Sequence, residues 1–311
     1  MFESLESSLV AVNILAQKLP RIIEPAMHLF SALGVETFYF ALVPIIYWFV
    51  SRRSAVGLLV ILAVSAYINT VFKWIFSRPR PFWISEEVME LSVESTYGIP
   101  SGHSQNAIAV WFILAASMTL LFPARKRLLF FVAGIVAFFI SFSRIYLGMH
   151  FLQDVIVGWI LGFLILAGFM AMEKRIDGIL RNPIQHASLL LIPLLLIGLA
   201  SLVHTLAPRP ALYPLAGPHY DPLNPAQIFA VTGTLMGLII GSYVKIPETA
   251  FPWWGRLIGF VLTLAGIGLI SKLGALAAGG DYEQSMRFAR YALLVLWGFV
   301  LVPWSAKKLL S

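Results

Sequence analysis

The chain has 311 residues, of which 59% are hydrophobic and 12% are charged, and its net charge is +7. Soluble domains carry roughly 25% charged residues, so this composition and the mean hydropathy of +0.85 exclude a water-soluble globular protein. The absence of cysteine excludes disulfides and thiolate metal sites. We therefore expect an all-α, polytopic membrane protein, whose positive charge has to be placed relative to the membrane.

The N-terminal segment, residues 1–35, is predicted to form an amphipathic helix in the membrane interface. Apolar stretches there alternate with Lys18, Arg21 and Glu24, a pattern typical of an interfacial helix. A poor additional span is the alternative interpretation. Acidic residues stand where a secretory signal would be basic, so we expect no cleaved signal.

About nine apolar stretches follow, and each is predicted to cross the membrane as a helix. They cover residues 36–51, 54–76, 104–122, 128–147, 151–172, 189–207, 226–244, 255–275 and 287–305. Composition shifts at residues 173–188, which predicts a core over 36–172 and additional helices over 173–311. Gly233, Gly237 and Gly241 recur every four residues, a spacing typical of close helix packing.

The basic residues of the connections concentrate on one side of the membrane. Twelve of the 22 Lys and Arg residues follow the odd-numbered spans: Arg52, Arg53, Arg125, Lys126, Arg127, Lys174, Arg175, Arg181, Lys245, Arg256, Lys307 and Lys308. Only Glu173, Asp177 and Glu248 accompany them. By the positive-inside rule this side is cytoplasmic, so the connections 77–103, 208–225 and 276–286 are expected to be extracytoplasmic.

The first of three polar clusters on the extracytoplasmic side follows the second span. Lys73 and Arg80 are seven residues apart, which is two helical turns. Pro79 and Pro81 are expected to end the helix that carries Lys73. Ionisable residues at the edge of a span indicate a functional site. Arg78, inside the same run, is interpreted as a headgroup or loop contact.

The second and third clusters add donors and a nucleophile. Before the third span, Ser101, Gly102 and His103 combine a hydroxyl, close backbone approach and an imidazole at a helix start, which favours anion binding. At the end of the fourth span Arg144 supplies a cation. His150 and Asp154 are one helical turn apart, so the carboxylate can accept the Nδ1 proton and leave Nε2 as a nucleophile. This set suits a phosphoryl group.

These residues complete three spaced motifs: K-x6-R-P from Lys73 to Pro81, P-S-G-H from Pro100 to His103, and S-R-x5-H-x3-D from Ser143 to Asp154. With them the chain resembles the type 2 phosphatidic acid phosphatase superfamily. Residues 33–39 and Phe72 to Ile75 are similar to its sphingosine-1-phosphate phosphatase and glucose-6-phosphatase branches. The resemblance implies a phosphatase core built as a helical bundle, with no metal and no other cofactor.

The resemblance also implies a role for each motif residue. His150 would attack phosphorus and form a phosphohistidine, Asp154 would orient it, and His103 would protonate the leaving group and then activate water. The phosphate oxygens would be bound by Lys73, Arg80, Ser101, Gly102 and Arg144.

Four acids in the loop between the first two motifs, Glu86, Glu87, Glu90 and Glu94, are instead expected on a solvated helix.

We expect an integral protein of the cell inner or plasma membrane. It would act on a lipid phosphate in the bilayer, with its site facing the periplasm or a lumen. No nucleic acid partner is expected. Phosphatidic acid, phosphatidylglycerol phosphate, a sphingoid-base phosphate and undecaprenyl diphosphate all remain candidates, and the oligomeric state stays open. The alternatives are a glucose-6-phosphatase-like hydrolase of sugar phosphates, phosphotransfer to an alcohol, and a lipid transporter that retains the motifs.

Overall fold

The computed structural model describes residues 2–181, 183–208, 220–244, 251–276 and 282–310. Within these ranges the chain forms helices and no strand, which confirms the all-α class. Lys245, Glu248 and most of the predicted connection 208–225 lie outside the described residues.

Fourteen α-helices occur in the described part of the chain, joined by two 3-10 turns and one π-helical turn at Trp297–Leu301. They are α1 (Phe2–Gln17), α2 (Glu24–Ala32), α3 (Glu36–Phe49), α4 (Arg52–Phe76), α5 (Pro81–Ile84), α6 (Gly102–Met118), α7 (Lys126–Tyr146), α8 (Leu152–Arg181), α9 (Pro183–Ser188), α10 (Leu191–Leu206), α11 (Ala226–Ser242), α12 (Trp253–Leu276), α13 (Glu283–Leu296) and α14 (Val302–Leu310).

Six described segments are long and apolar enough to cross a membrane. They are Arg52–Ile84, Pro123–Tyr146, Leu152–Met172, Gln185–Leu206, Trp253–Leu276 and Glu283–Lys308. The other three predicted spans correspond to α3, α6 and α11, which have only 14, 17 and 17 residues. Arg21–Ala32 and Thr37–Phe49 together would pass as a seventh span, bent by 58°. The count of about nine therefore stays a prediction.

The chain forms two compact units, and each is assembled from separate segments. Unit 1 contains Met1–Tyr39, Ile68–Gly168 and Leu202–Asn224, and unit 2 contains Phe40–Tyr67, Phe169–Ser201 and Pro225–Ser311. All three motifs lie in unit 1. The domain boundaries predicted from composition, after residues 35 and 172, stay a prediction.

An aromatic core in unit 1 surrounds the motif loops. Trp83, Tyr97 and Tyr146 are each at most 2% exposed, and the ring of Trp83 stands edge-on to Tyr220 with centroids 4.6 Å apart. Burying an aromatic side chain contributes roughly 1.5–3 kcal/mol. This packing fixes the loop between α4 and α6 beside the end of α7.

Unit 2 is held by close helix packing. A Cβ on Gly237 would lie 2.6 Å from the carbonyl oxygen of Ala292, and one on Gly233 would collide with the backbone of Phe288. The glycines of α11 thus admit α13 at short range, which confirms the packing role predicted from their spacing. In the same unit the indole N–H of Trp48 in α3 donates to Thr263 Oγ1 in α12 at 3.0 Å.

Candidate active site

The first motif lies at the end of α4. The helix stops at Phe76, before Pro79, as predicted, and Ser77 turns the chain with φ +46° while its hydroxyl donates to the Trp74 carbonyl at 2.7 Å. Lys73, in the last turn, is 8% exposed, and its Nζ donates to Thr96 Oγ1 at 2.7 Å.

The guanidinium of Arg80 is fully buried and fixed by backbone carbonyls. Its Nε donates to Thr96 O at 2.6 Å, Nη1 to Met149 O at 2.8 Å and Nη2 to Tyr97 O at 3.2 Å. Since all three nitrogens have partners, the side chain has one orientation. It therefore presents a positioned cation to the third motif, with Nη1 3.4 Å from His150 Nε2.

The second motif starts α6 and is tied to the third motif. Ser101 is the N-cap, and its Oγ accepts from the amide of Ser104 at 3.4 Å and from the Ser104 hydroxyl at 3.0 Å. Its own N–H donates to the Asp154 carbonyl at 3.0 Å. Gly102 begins the helix so closely against Asn69 that a Cβ would lie 3.2 Å from Asn69 Oδ1.

His103 follows in the first turn of α6. Its Nε2 is buried and makes no hydrogen bond within the described structure, so it is available to a ligand. The ring rests on Gly34, where a Cβ would lie only 2.6 Å from the imidazole Cδ2. The turn between α2 and α3 thus sets the position of this imidazole.

The third motif joins the end of α7 to the start of α8. Arg144 is 1% exposed, and its Nη1 donates to Ser31 Oγ at 2.6 Å. After Tyr146 the chain turns at Gly148, whose φ of +76° is in the left-handed region that favours glycine. That turn brings His150 back to Arg80.

His150 and Asp154 form a buried pair in which each side chain is 1% exposed. The imidazole Nδ1 lies 3.2 Å from Asp154 Oδ2, which also accepts the N–H of Phe151 at 3.1 Å. Arginine only donates hydrogen bonds, so Nε2, which faces Arg80, carries the lone pair and Nδ1 carries the proton. Burial lowers the pKa of His150 well below its usual range, and the ring is neutral at neutral pH.

Glu94 is a site residue that the sequence analysis missed, and its predicted place on a solvated helix is wrong. The only helix between α4 and α6 is the four-residue α5. The carboxylate is 2.6 Å from Arg144 Nη2 and 3.5 Å from Arg80 Nη2. Burial alone raises its pKa, but the two arginines outweigh burial and lower the pKa to about 2. No motif spacing marks this acid.

The N-terminal helix α1 also contributes to the site. Asn13 is fully buried, and its Nδ2 donates to Ile145 O at 2.9 Å and to His150 O at 3.0 Å. Gln17 Nε2 donates to Tyr146 O at 3.0 Å. An amide in the apolar run LVAVNILA was the available sequence signal, and the interfacial location predicted for this segment stays a prediction.

The structure thus brings Lys73, Arg80 and Arg144 together with both motif histidines and Asp154 in unit 1. Buried cations around a neutral imidazole with a free lone pair make a site for an anion that can undergo nucleophilic attack. Within the described ranges, no three His, Cys, Asp or Glu side chains are arranged to hold a metal ion.

Comparison with known families agrees with this arrangement. The PAP2 superfamily model matches residues 54–177, and the model of the PAP2 superfamily phosphatase transmembrane extension matches residues 229–310. The chain belongs to the PAP2 superfamily. The predicted enzyme class, a phosphatase, is thereby confirmed.

Three relatives illustrate the range of the family. Phosphatidylglycerophosphatase B of Bacillus subtilis is 34% identical over 46% of this chain and 73% of its own length. Sphingosine-1-phosphate phosphatase 2 of Mus musculus is 28% identical over 53% of this chain, and glucose-6-phosphatase catalytic subunit 1 of Haplochromis nubilus is 30% identical over 46% of it. This chain spans just under half the length of the latter two, 47% and 46%.

A solved structure shares the fold of part of the chain. The crystal structure of a transmembrane PAP2 type phosphatidylglycerolphosphate phosphatase from Bacillus subtilis superposes with a TM-score of 0.50 at 27% identity. The match covers 56% of this chain and 88% of that one. The remaining part of this chain has no counterpart in that comparison.

Proposed function

We propose that this protein hydrolyses the terminal phosphate of a lipid at the extracytoplasmic face of the membrane, through a phosphohistidine and without a metal ion. The observation that carries the proposal is the buried His150 Nε2, which faces Arg80 while Asp154 accepts the proton on the opposite ring nitrogen. That tautomer leaves the lone pair of Nε2 directed at the place where Arg80 would hold a phosphate.

In the first step the Nε2 lone pair of His150 forms a bond to phosphorus, and the bond from phosphorus to the lipid oxygen breaks. His103 gives its proton to the leaving alkoxide. The substrate dianion favours the protonated form of His103 before this step. Asp154 stabilises the positive charge that develops on the His150 ring.

In the second step water attacks the phosphohistidine. His103, now neutral, takes a proton from the water, the bond between nitrogen and phosphorus breaks, and inorganic phosphate leaves. His150 returns to its neutral form and the cycle is complete. Lys73, Arg80 and Arg144, together with Ser101 and the amide of Gly102, stabilise charge on the equatorial oxygens in both transition states.

A lipid substrate is supported by the position of the motifs along the helices. Lys73 and Arg144 lie in the last turns of α4 and α7, and both helices belong to segments long and apolar enough to cross a membrane. A headgroup held there leaves its chains in the bilayer. Two of the relatives are named for lipid phosphates, and the glucose-6-phosphatase relative makes a sugar phosphate the alternative substrate.

The extracytoplasmic location follows from a topology of nine spans, in which α3, α6 and α11 also cross the membrane. Their 14 to 17 residues rise about 21–26 Å at 1.5 Å per residue, which is about 4–9 Å less than a hydrocarbon core of about 30 Å, so flanking residues would complete each crossing. With nine spans, the basic connections all fall on one side, and the three motifs fall on the other.

The test is a substrate panel run with purified protein and a His150→Ala variant. We expect phosphate release from short-chain lipid phosphates, with no turnover of sugar phosphates. Removing the nucleophile should lower kcat by roughly a thousandfold or more. The matched control is His28→Ala, because His28 is half exposed and outside the site.

Three outcomes would contradict the proposal. Hydrolysis retained in His150→Ala would contradict the phosphohistidine intermediate. Turnover of sugar phosphates alone would contradict the lipid substrate. Transfer of the phosphoryl group to an alcohol instead of water, detected by mass spectrometry of the products, would contradict hydrolysis.

A further inference from the structure

Glu94 occupies the position between two arginines that the proposed function assigns to phosphate. Its Oε1 is 2.6 Å from Arg144 Nη2, and its Oε2 is 3.5 Å from Arg80 Nη2. A phosphate group offers two oxygens to a pair of guanidinium groups in the same way. Building on the proposed function, we propose that Glu94 is a specificity-determining residue, an internal carboxylate ligand of the phosphate subsite that only a phosphate dianion displaces.

The two anions compete for the same donors. Glu94 Oε1 lies 2.6 Å from Arg144 Nη2, within hydrogen-bond distance, so a phosphate oxygen that binds this nitrogen has to take the place of Oε1. Two anions held side by side at the arginines would also repel each other.

Displacement requires movement of one side chain only. The neighbouring backbone is anchored, since Thr96 O accepts from Arg80 Nε at 2.6 Å and Ser95 O accepts from the N–H of Asp221 at 3.1 Å. Arg80 and Arg144 are 0% and 1% exposed, whereas the Glu94 side chain is 25% exposed. Glu94 is therefore the partner with a route to solvent, and rotation of its side chain vacates the subsite.

This exchange selects between the phosphates that a membrane presents. The common bilayer phospholipids carry phosphodiesters with one negative charge, the same charge as the carboxylate that they would replace. A phosphomonoester dianion brings two charges and gains Coulomb energy with each arginine. Glu94 thus disfavours the abundant diesters and free carboxylates while it admits the monoester substrate. This is specificity by competition.

The test compares Glu94→Gln with Glu87→Gln, an exposed acid in the same loop that undergoes the same change of charge. The full-length protein in detergent is titrated with radiolabelled inorganic phosphate by equilibrium dialysis. We expect Glu94→Gln to bind phosphate roughly tenfold more tightly than wild type, and Glu87→Gln to match wild type. Phosphatidylglycerol, a phosphodiester, should compete with phosphate in Glu94→Gln and not in wild type.

Weaker or unchanged phosphate binding in folded Glu94→Gln would overturn the proposal, because it would mean that Glu94 holds the arginines in place for the substrate. Glu94→Asp provides a second reading if the Gln variant does not fold. Its shorter side chain reaches the arginines less well, so phosphate should again bind more tightly than in wild type, and the opposite sign would overturn the proposal. Binding is measured without turnover, so a failure of the proposed hydrolysis appears separately in the wild-type assay.

Discussion

At the scale of single residues, Gly34 shows how tightly the imidazole of His103, the proposed acid and base, is confined. A methyl group there would lie 2.6 Å from Cδ2 of His103 and 3.0 Å from Ile140 Cγ2. Gly34→Ala should therefore shift the imidazole and lower kcat by about a hundredfold, the loss expected from misplacing a catalytic group by roughly 1 Å. KM should change much less, because the cations proposed to bind phosphate do not take part in this contact.

Steady-state kinetics of Gly34→Ala beside Gly134→Ala would check this expectation. Gly134 has open space around its Cα, so its variant should keep wild-type kcat and thermal stability. An unchanged kcat in Gly34→Ala would show that His103 is not positioned by this contact.

The motif residues could be predicted from sequence because the residues of each motif stand at fixed spacings along the chain. His150 and Asp154 are four positions apart; α8 begins only at Leu152, so the irregular turn before the helix, and not the helical face expected from sequence, places them 3.2 Å apart. Glu94 could not be predicted, since it reaches Arg144 across 50 positions through an irregular loop. Only the fold brings one of the four acids in that loop, Glu94, to Arg144 and Arg80.

At the scale of elements, α1 is part of the unit that contains the candidate active site. Its Asn13 amide joins two carbonyls on either side of the α7 to α8 turn, those of Ile145 and His150. Buried carbonyls without a donor cost about 1–3 kcal/mol each. The helix thus holds the backbone of His150, the proposed nucleophile, although the PAP2 superfamily match begins only at residue 54.

We expect Asn13→Ala to lower the melting temperature and to lower kcat by about tenfold or more, because it removes the side-chain donor to the His150 carbonyl, leaves the Ile145 carbonyl with the N–H of Gly148 alone, and loosens the His150 backbone. Lys18→Ala, an exposed position just after the same helix, should leave both quantities at the wild-type value. The measurements are thermal unfolding in detergent and steady-state hydrolysis. A wild-type kcat in Asn13→Ala would restrict α1 to a structural role.

The position of most long helices could be predicted from apolar runs, but their lengths could not. The run at 104–122 forms a helix only to Met118, and the run at 151–172 extends as α8 to Arg181. Hydropathy reports which residues avoid water, whereas a helix ends where caps and turns satisfy its last carbonyls. Three predicted spans consequently have helices shorter than 18 residues.

At the scale of the whole molecule, the absence of cysteine allows a direct test of topology. We expect a cysteine at Glu87→Cys to react with a membrane-impermeant maleimide in intact cells, because its loop is predicted to be extracytoplasmic. A cysteine at Lys126→Cys, on the basic side, should react only after permeabilisation. Both positions are exposed. The reverse labelling pattern would place the motifs in the cytoplasm.

The hydrogen bond between Trp48 and Thr263 sets an order of events during biosynthesis. The two residues are 215 positions apart, so the indole N–H has no partner in α12 until most of the chain has been translated. A polar group in an apolar surrounding is costly while unpaired, and Trp48 is 4% exposed in the finished unit. The hydrogen bond between α3 and α12 can therefore form only after α12 has been made, late in the synthesis of the chain.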